Sequence, residues 1–581
     1  MAAARPLVPL MMLLLLAAPA ALASAAGKPG AGGGGGGGDF AAAALGGLAA
    51  LRADADALAP WLVVTRRALH RTPELMFREH NTSAYIRAAL DAMGIPYAWP
   101  VARTGVLARL EVGPGTDDGA RGGQTAAAAA KHANASATGE ASPPPLVVIL
   151  RSDIDALPID EPAGGVADAG GYRSANEGVM HACGHDAHAA MLLGAARLLR
   201  DRRASFPRPG AVLFAFQPAE EGGAGADEML RHEGGRLFDG AGAAFGVHVW
   251  PTVPRGALLT RTGTLMAGAL SWDVAVRGRG GHAAMPHLNV DPVVPAAALV
   301  GALQALVSRE MSPLGSAVLS VTTLRAGTVN NVTPDEARLG GTLRALTHAD
   351  MERLRRRVGE VAAAVAAAHG CTAEVDWHEG DHPYYPPTVN DGRAAALVAG
   401  AAEALMDGWV ARPFAPEGEA GAGAEGTAAE TATASGSGKG KGKGGDEEDG
   451  VGAPGSPSSP SPAMAMPATL SPYTPSSKHT FETEPVMPAE DFSFFARALP
   501  SAFSFLGAAD PSGPGGGGGG LLHNPLFSLD ERVLPVGAAI HAAVAAEYFA
   551  RGGLEVTGAA AAAADCSSAA AGGGACPAAA A

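Results

Sequence analysis

The sequence predicts an α/β protein in which a mixed, mostly parallel sheet forms the larger domain and a smaller ferredoxin-like domain is inserted into it. Continuous apolar runs, which suit strands buried on both faces, alternate with segments of helical periodicity, and several runs end in polar residues. Residues 269–380 change character and read strand, helix, strand, strand, helix, strand. That βαββαβ order is typical of a ferredoxin-like domain.

The start of the chain has the pattern of a secretory signal peptide. Arg5 precedes an apolar run over Leu7–Leu16 and then a stretch of small residues, and the run is too short to span a bilayer. We therefore expect residues 1–24 to direct the protein into the secretory pathway, to the endoplasmic reticulum lumen or out of the cell. The last residues, Pro-Ala-Ala-Ala-Ala, do not form a retention signal.

Four further stretches lack the periodicity of packed elements. Their composition, rich in Gly, Ala, Ser and Pro, predicts a flexible linker over 25–44, disordered insertions over 114–144 and 415–478, and a low-complexity tail over 552–581. What remains is the larger domain, in two parts over 45–268 and 381–551, and the inserted domain over 269–380.

The first part of the larger domain brings polar residues to the ends of buried strands. Amphipathic helical stretches begin near Asp39 and lead to a strand near Val106–Val112. Because the carboxyl ends of parallel strands share one edge of a sheet, polar residues that follow such strands are expected to meet in one site. In chain order, Leu146–Leu150 is followed by Asp153 and Asp155, Ala211–Phe216 by Glu220 and Glu221, and the run Ala243–Val249 carries His248.

The inserted domain and the return to the larger domain show the same two periodicities. Alternating apolar residues predict its first strand over Leu270–Val276, and a last helix of the chain is expected over Val536–Phe549. Within the inserted domain the sequence also predicts a helix over Asp291–Ser308, strands over Ala317–Arg325 and Arg338–Leu346, a helix over Met351–His369 and a strand over Thr372–His378. In the second part of the larger domain it predicts a helix from Thr388 through Met406 and a strand over Ser501–Leu506.

Composition argues against several kinds of partner. The formal net charge of −15 disfavours nucleic acid and anionic membrane surfaces by bulk electrostatics. Four cysteines in 581 residues do not make a disulfide scaffold. We expect no nucleic-acid partner and no stable membrane anchor.

The densest group of chemically active residues lies within Gly178–Ala196. Cys183 and His185 stand two residues apart at the start of a predicted helix, and a thiol beside an imidazole suits a zinc- or manganese-type ion. Any one of these residues is more simply a buried thiol or a surface imidazole, but the group as a whole favours a metal site. Its members are His181, Cys183, His185, Asp186 and His188.

Five residues are candidate ligands for two divalent metal ions, with one ligand shared. A pair of ions acidifies a water molecule and polarises a carbonyl, while Glu220, beside a ligating Glu221, is free to move protons. Taken singly, the acidic pair would be solvated loop residues, His248 a hydrogen-bonded core histidine and His523 a surface residue. The five candidates are Cys183, His185, Glu221, His248 and His523, and manganese and zinc suit them equally.

Four motifs follow one another along the chain: His181-Ala-Cys-Gly-His-Asp-Ala-His188, Gln217-Pro-Ala-Glu-Glu-Gly222, Gly280-Gly-His-Ala-Ala-Met-Pro-His287 and Met487-Pro-Ala-Glu-Asp-Phe492. Together they resemble the M20 metallopeptidase clan. The resemblance is greatest to its amidohydrolase branch, which contains plant auxin-conjugate (indole-3-acetyl amino acid) hydrolases, bacterial hippurate hydrolases and aminoacylases, and it extends over about residues 45–550.

The resemblance implies an enzyme with two metal ions that hydrolyses N-acyl amino acids to a free acid and an amino acid. Indole-3-acetyl conjugates are the leading substrates. A general aminoacylase, a hippurate-type deacylase and a catalytically silent binding homologue are the alternatives. Cys183 would bridge the two ions, the other four candidates would complete their coordination, and Glu220 would be the general base.

The resemblance also implies roles for residues outside the metal ligands. His282 would stabilise the oxyanion at the scissile carbonyl, and Asn331 and Arg344 would hold the substrate, with Arg344 suited to a carboxylate. Asp153 would orient an imidazole rather than bind a metal. The inserted domain would be a lid, and because this clan often dimerises through that domain, a homodimer is an open prediction.

Overall fold

The computed structural model describes residues 45–116, 145–380, 382–410, 473–475, 477–509 and 520–554. The predicted signal peptide and linker lie outside the described residues, as do most of both predicted insertions and nearly all of the predicted tail. Helices α1–α10 cover Leu48–Arg71, His80–Met93, Val166–Ala169, His185–Arg200, Gly225–Arg231, Val293–Ala305, His348–Ala368, Gly392–Met406, Ser493–Ala498 and Val533–Arg551.

The strands alternate with these helices along the chain. Strands β1–β17 cover Tyr97–Val101, Gly105–Val112, Leu146–Asp153, Gly210–Gln217, Ala241–Trp250, Leu258–Thr260, Gly263–Met266, Gly268–Arg277, Gly281–His282, Ala317–Ala326, Val332–Thr333, Glu336–Ala345, Thr372–Asp376, Thr388–Asn390, Tyr473–Pro475, Thr480–Thr483 and Ser501–Gly507.

The larger domain is built on a nine-stranded sheet in the order β1-β2-β4-β3-β5-β17-β6-β16-β15. Its four central strands, β4, β3, β5 and β17, are parallel, whereas antiparallel pairs lie towards both edges. This confirms the predicted mixed sheet with a parallel centre. Since β3, β4 and β5 are neighbours in the sheet, the polar residues at their carboxyl ends lie side by side.

Two apolar clusters cover the two faces of this sheet. On one face α4 packs among α1 and α10, and its Ala- and Leu-rich sequence is buried over nearly its whole length. α10 is apolar enough to cross a membrane, but 94% of its most apolar 18-residue stretch is buried inside the domain, as suits a core helix. A second cluster, rich in phenylalanine, covers the other face.

The inserted domain is an antiparallel sheet in the order β10-β12-β8-β13 with α6 and α7 packed on it. Its element order, β8-α6-β10-β12-α7-β13, confirms the predicted ferredoxin-like βαββαβ pattern. Two short paired strands, β7 before the domain and β14 after it, carry the chain out of and back into the larger domain. We call the inserted domain the lid.

The structure departs from the sequence interpretation at the second insertion. Tyr473–Pro475 lies inside the predicted disordered stretch 415–478, yet it forms β15 and pairs antiparallel with β16 at the edge of the large sheet. The physical reason is that an exposed sheet edge offers backbone hydrogen bonds to any neighbouring segment, and those bonds depend little on residue type.

Candidate active site

The turn before α4 places two candidate ligands at the edge of the sheet. Gly184, between Cys183 and His185, has φ +90, and a Cβ atom there would lie 2.5 Å from Cγ2 of Val249. Only glycine suits both the left-handed backbone and this close approach. Cys183 and His185 are both buried, and α4 begins at His185.

Two imidazoles are oriented by carbonyl oxygens so that their second nitrogen faces the site. His185 Nδ1 donates to the carbonyl oxygen of Asp155 at 2.9 Å, and His248 Nδ1 donates to that of Val249 at 2.7 Å. Because a carbonyl oxygen only accepts, each Nδ1 carries a proton, and Nε2 is the ring nitrogen that faces the site. Nε2 of His248 lies 3.4 Å from Cys183 Sγ, and burial lowers the pKa of His248, which keeps its imidazole neutral.

Glu221 and His523 complete the group from two loops. His523 Nε2 lies 3.2 Å from Glu221 Oε1, which is 3.9 Å from His185 Nε2. The backbone of His523 has φ 61, and its N–H donates to the carbonyl oxygen of Ala182 at 2.8 Å, which ties this loop to the turn before α4. A left-handed conformation at a non-glycine residue is often found at functional sites.

These five side chains fit two metal ions that share one ligand. Ligand atoms within 4.8 Å of one another form two three-residue groups, Cys183 with His185 and His248, and Cys183 with Glu221 and His523. Nε2 of His185 is buried and has no hydrogen-bond partner among the described residues. Burial and the charge of Glu221 raise the pKa of the Cys183 thiol, so a thiolate there needs a cation beside it. The structure therefore brings together all five predicted ligands.

His188 is near the same site but is already fully hydrogen-bonded. Its Nδ1 lies 2.6 Å from Asp153 Oδ1, and its Nε2 accepts the N–H of Val249 at 2.9 Å. Asp153 thus orients the imidazole of His188, whose ring contacts that of His248 edge-to-face with centroids 4.4 Å apart. The support that Asp153 gives to a ligand is therefore indirect.

Glu220 is a buried carboxyl group next to the ligand group. Burial raises its pKa well above the usual range, and the negative charges of Glu490, Glu221 and Asp491 act in the same direction. Glu220, Glu221 and Cys183 line the same cavity. A carboxyl group whose pKa is raised towards neutral pH is suited both to accept a proton and to release it.

The cavity lies between the larger domain and the lid and has a volume of about 680 Å³. Its apolar wall includes Trp250, Met266 and Leu522, and the lid contributes Arg344. Burial lowers the pKa of Arg344, and no carboxylate in the described ranges forms an ion pair with it. A half-buried guanidinium facing a cavity without a protein carboxylate is suited to an anionic group on a bound molecule.

Two predicted site residues do not lie in this cavity. His282 and Asn331 are exposed on the β9–β11 ribbon, where Val332 pairs with His282. The ribbon follows the far end of β8, whereas Arg344 pairs with Ala269 at the near end. At about 3.3 Å per residue, the ten-residue strand β8 separates the two positions by roughly 30 Å. Neither residue is therefore among those that line the cavity with the ligand group.

Other residues of the site were missed by sequence reasoning. Arg151 is buried and contacts Asp153 at 2.7 Å, Glu490 at 2.8 Å and Asp491 at 2.9 Å. A charged residue that directly follows the buried run Leu146–Leu150 was the available signal. Asp155 was noted as a strand-end acid but given no role; its carboxylate accepts the N–H groups of Glu220 and Glu221, both at 3.0 Å.

Comparison with known proteins places the chain among metal-dependent peptidases and amidohydrolases. The profile of peptidase family M20/M25/M40 matches residues 149–448. IAA-amino acid hydrolase ILR1-like 2 of Arabidopsis thaliana is 35% identical over 488 residues, which are 84% of this chain and 85% of that relative. N-acetyl-L-cysteine deacetylase of Bacillus subtilis strain 168 is 38% identical over 341 residues, 59% of this chain and 72% of that relative.

Among solved structures, the chain is similar to the Bacillus subtilis YXEP protein, a dinuclear metal binding peptidase from the M20 family. The two align with a TM-score of 0.56 and 27% sequence identity, over 84% of this chain and 98% of that chain. The likeness therefore includes the lid as well as the larger domain.

Proposed function

This chain belongs to the M20 peptidase family and is a metal-dependent amidohydrolase; from that premise we propose that it cleaves N-acyl amino acids, with indole-3-acetyl amino acids as its leading substrates. One observation carries the proposal: two ligand groups share Cys183 and stand beside the buried Glu220 in a cavity that also contains Arg344, which forms no ion pair with any described carboxylate. Amide hydrolysis needs these elements together: an activated water, a proton carrier and a grip on the substrate.

The ligand atoms of Cys183, His185, Glu221, His248 and His523 would hold two divalent ions, which supply Lewis acidity towards the scissile carbonyl and acidify a water molecule. Glu220 takes one proton from the attacking water while the oxygen of the water bonds to the carbonyl carbon. Glu220 then delivers the proton to the leaving nitrogen as the C–N bond breaks. The products are a carboxylic acid and a free amino acid, so atoms and charge balance.

The walls of the cavity support the choice of substrate class. Arg344 is suited to the α-carboxylate of the amino-acid half, and Trp250, Met266 and Leu522 offer apolar and aromatic surface to the acyl half. A volume of about 680 Å³ accommodates an aromatic acyl group together with an amino acid. The relatives named IAA-amino acid hydrolases support the indole-3-acetyl choice.

A second candidate substrate class is supported by another relative. The Bacillus subtilis N-acetyl-L-cysteine deacetylase is the more identical of the two relatives described above, though over a shorter stretch. Its name indicates a small acetyl group rather than an aromatic one. The same site would then act as an aminoacylase on short acyl amino acids.

The test uses purified full chain, stripped of metal and resupplied with manganese or zinc. Release of the amino acid from indole-3-acetyl-alanine, hippurate and N-acetyl-cysteine is followed for the wild type, Glu220→Gln and the control Glu228→Gln, whose side chain pairs with Arg103 outside the cavity. We expect metal-dependent release that only Glu220→Gln abolishes. The order of the three substrates decides between the two classes, the better metal identifies the cofactor, and no release with metal bound would overturn the proposal.

We also propose that the protein is a homodimer formed through the lid. β10 lies at the edge of the lid sheet, and Leu324 on it is 50% exposed. His282 would reach a carbonyl only through a lid rotation or from a second copy. Mixing Glu220→Gln chains with His282→Ala chains separates these cases, because activity returns only if a dimer shares His282 between sites. A monomer by light scattering would refute the dimer.

The proposed route into the secretory pathway concerns residues 1–24. The apolar run Leu7–Leu16 supports it. In a eukaryotic host we expect the mature protein to lack this segment and to lie in the endoplasmic reticulum lumen or outside the cell. The double variant Leu13→Arg/Leu14→Arg should remain in the cytosol. Determining the N-terminal residue by mass spectrometry tests this, and an intact Met1 in the wild type would contradict it.

A further inference from the structure

The turn that carries Glu220 and Glu221 is held by side chains from other parts of the chain. It runs from Ala219 to Ala224, and both of these alanines have positive φ, 55 and 50. Since alanine avoids this region of backbone space, the conformation must be maintained by surrounding contacts. On one side, Glu79 accepts the N–H of Ala219 at 2.9 Å, and Asp155 accepts those of Glu220 and Glu221.

The other side of the turn is held by one phenol. The hydroxyl of Tyr385 donates to the carbonyl oxygen of Glu220 at 2.7 Å and accepts the N–H groups of Gly222 at 3.1 Å and Ala224 at 2.9 Å. One donated and two accepted bonds use the full capacity of a hydroxyl group. Tyr385 is buried, and its ring packs against Phe494 with centroids 6.1 Å apart.

Tyr385 also belongs to the connection that returns from the lid. It lies between β13, the last strand of the lid, and β14, the first strand after it. Its backbone exchanges two hydrogen bonds, both 2.9 Å, with Ala269 at the start of the lid. The backbones are close here, since a Cβ atom on Gly268 would lie 2.9 Å from the carbonyl oxygen of Tyr385. One residue therefore joins both lid crossings to the Glu220 turn.

We propose that Tyr385 is a positioning residue for Glu220, and that its hydroxyl couples the attachment of the lid to the geometry of the proton carrier. The inference rests on the proposed function only in the role it gives to Glu220. Loss of the hydroxyl leaves the Ala224 N–H without its acceptor, and it leaves the Gly222 N–H and the Glu220 carbonyl oxygen only the 2.7 Å hydrogen bond between them. The turn loosens at its Gly222–Ala224 end, while the Glu221 N–H stays bonded to Asp155 and the other four proposed ligands keep their positions.

The neighbouring residue offers a matched control. Tyr384 lies on the same connection, but its hydroxyl is 3.0 Å from Nδ1 of His348 on the lid surface and makes no contact with the turn. Tyr385→Phe and Tyr384→Phe each remove one hydroxyl and keep the ring, so Phe494 still packs against position 385. Both variants are made in the full chain.

Three measurements are made on the wild type and both variants: kcat and KM with and without added metal, bound metal per chain, and amide hydrogen exchange of the peptide spanning 219–224. For Tyr385→Phe we expect kcat to fall about 10- to 100-fold because reacting groups move out of line, with KM changed less than about twofold. Metal content should stay at the wild-type level, and exchange in the 219–224 peptide should become faster. Tyr384→Phe should match the wild type throughout.

Three results would overturn the inference, the first two being unchanged exchange in the 219–224 peptide and a Tyr385→Phe kcat equal to that of Tyr384→Phe. If Tyr385→Phe lowered the metal content, the thermal unfolding midpoint and the activity together, Tyr385 would have a merely structural role, and this third result would also overturn the inference. If the wild type hydrolyses none of the amides, the proposed function fails. The exchange comparison then decides alone whether Tyr385 holds the turn.

Discussion

The sulfur of Cys183 lies 3.4 Å from Nε2 of His248, and among the described residues Cys183 belongs to two of the five three-residue groups that could hold a metal ion. Cys183 contributes its sulfur to both of these groups, so the thiol is the point at which they meet. A shared ligand makes the two sites depend on each other, because its loss removes a donor from both.

We therefore expect Cys183→Ala to lose both ions rather than one. The expected metal content is below one ion per chain, with activity abolished, whereas Cys371→Ala should retain the wild-type content. Cys371 is a matched control because it is also a buried free thiol, but it lies in the lid. Elemental analysis after dialysis measures the content. A Cys183→Ala protein that keeps two ions would show that the thiol does not bridge.

The second prediction concerns recognition of the substrate carboxylate by Arg344. Arg344→Gln should raise KM for acyl amino acids by about 10- to 100-fold, the usual value of a hydrogen bond between charged groups, and should change kcat less. The methyl ester or amide of the same substrate should be unaffected by the substitution. Arg338→Gln is the control, because Arg338 lies on the same strand and pairs with Glu336 at the surface. An equal KM effect on acid and ester would contradict the assignment.

The third prediction concerns the buried charges behind the site. Arg151 is the cation among Asp153, Glu490 and Asp491, all of which are buried. Arg151→Met removes the positive charge and leaves these carboxylates uncompensated, so we expect the free energy of unfolding to fall by about 3–5 kcal/mol. Urea unfolding of the metal-free protein measures it.

The control for Arg151 is Arg109→Met, which breaks an exposed pair with Glu111. An exposed ion pair contributes little, so this variant should unfold within about 1 kcal/mol of the wild type. If Arg151→Met were equally mild, the carboxylates would have to be protonated in the native protein, and the charge network described above would be wrong.

The fourth prediction is a pH dependence of stability. Burial, with a smaller effect of His188, lowers the pKa of His541 on α10 to about 3. The unfolded chain binds a proton at this residue below about pH 6.5, but the folded chain does not, so the contribution to stability is present above pH 6.5 and is lost as the pH falls towards 3. Between pH 7 and 5 the loss from this one group is about 2 kcal/mol.

His541→Gln should remove that part of the acid sensitivity. Urea unfolding at pH 7 and at pH 5 measures the difference between the two conditions, and the variant should lose about 2 kcal/mol less than the wild type. His369→Gln is the control because His369 is exposed at the end of α7. Equal losses in all three proteins would show that His541 is not kept neutral by burial.

Much of the site followed from local sequence patterns. Cys183, His185, Glu220, Glu221 and His248 could be assigned together because buried apolar runs predicted neighbouring parallel strands, and such strands place their carboxyl ends at one edge. The βαββαβ order of the lid also followed, because strand and helix leave different periodicities in the sequence. His523 could be named as a candidate by residue type but could not be placed beside the others, since a loop histidine has no periodicity of its own.

The sequence by itself determined the sheet with its inserted lid and the set of candidate ligands, because both depend on patterns within short stretches. The tertiary structure decided which residues distant in the sequence are in contact: Arg151 forms a hydrogen bond with Glu490, which is more than 300 residues away in the chain. Tyr385 binds backbone groups, and because every residue has such groups, the sequence does not indicate which of them it binds. The length of β8 places His282 at the far end of the lid from Arg344. Such relations arise only when elements pack, because they are set by distances in space rather than along the chain.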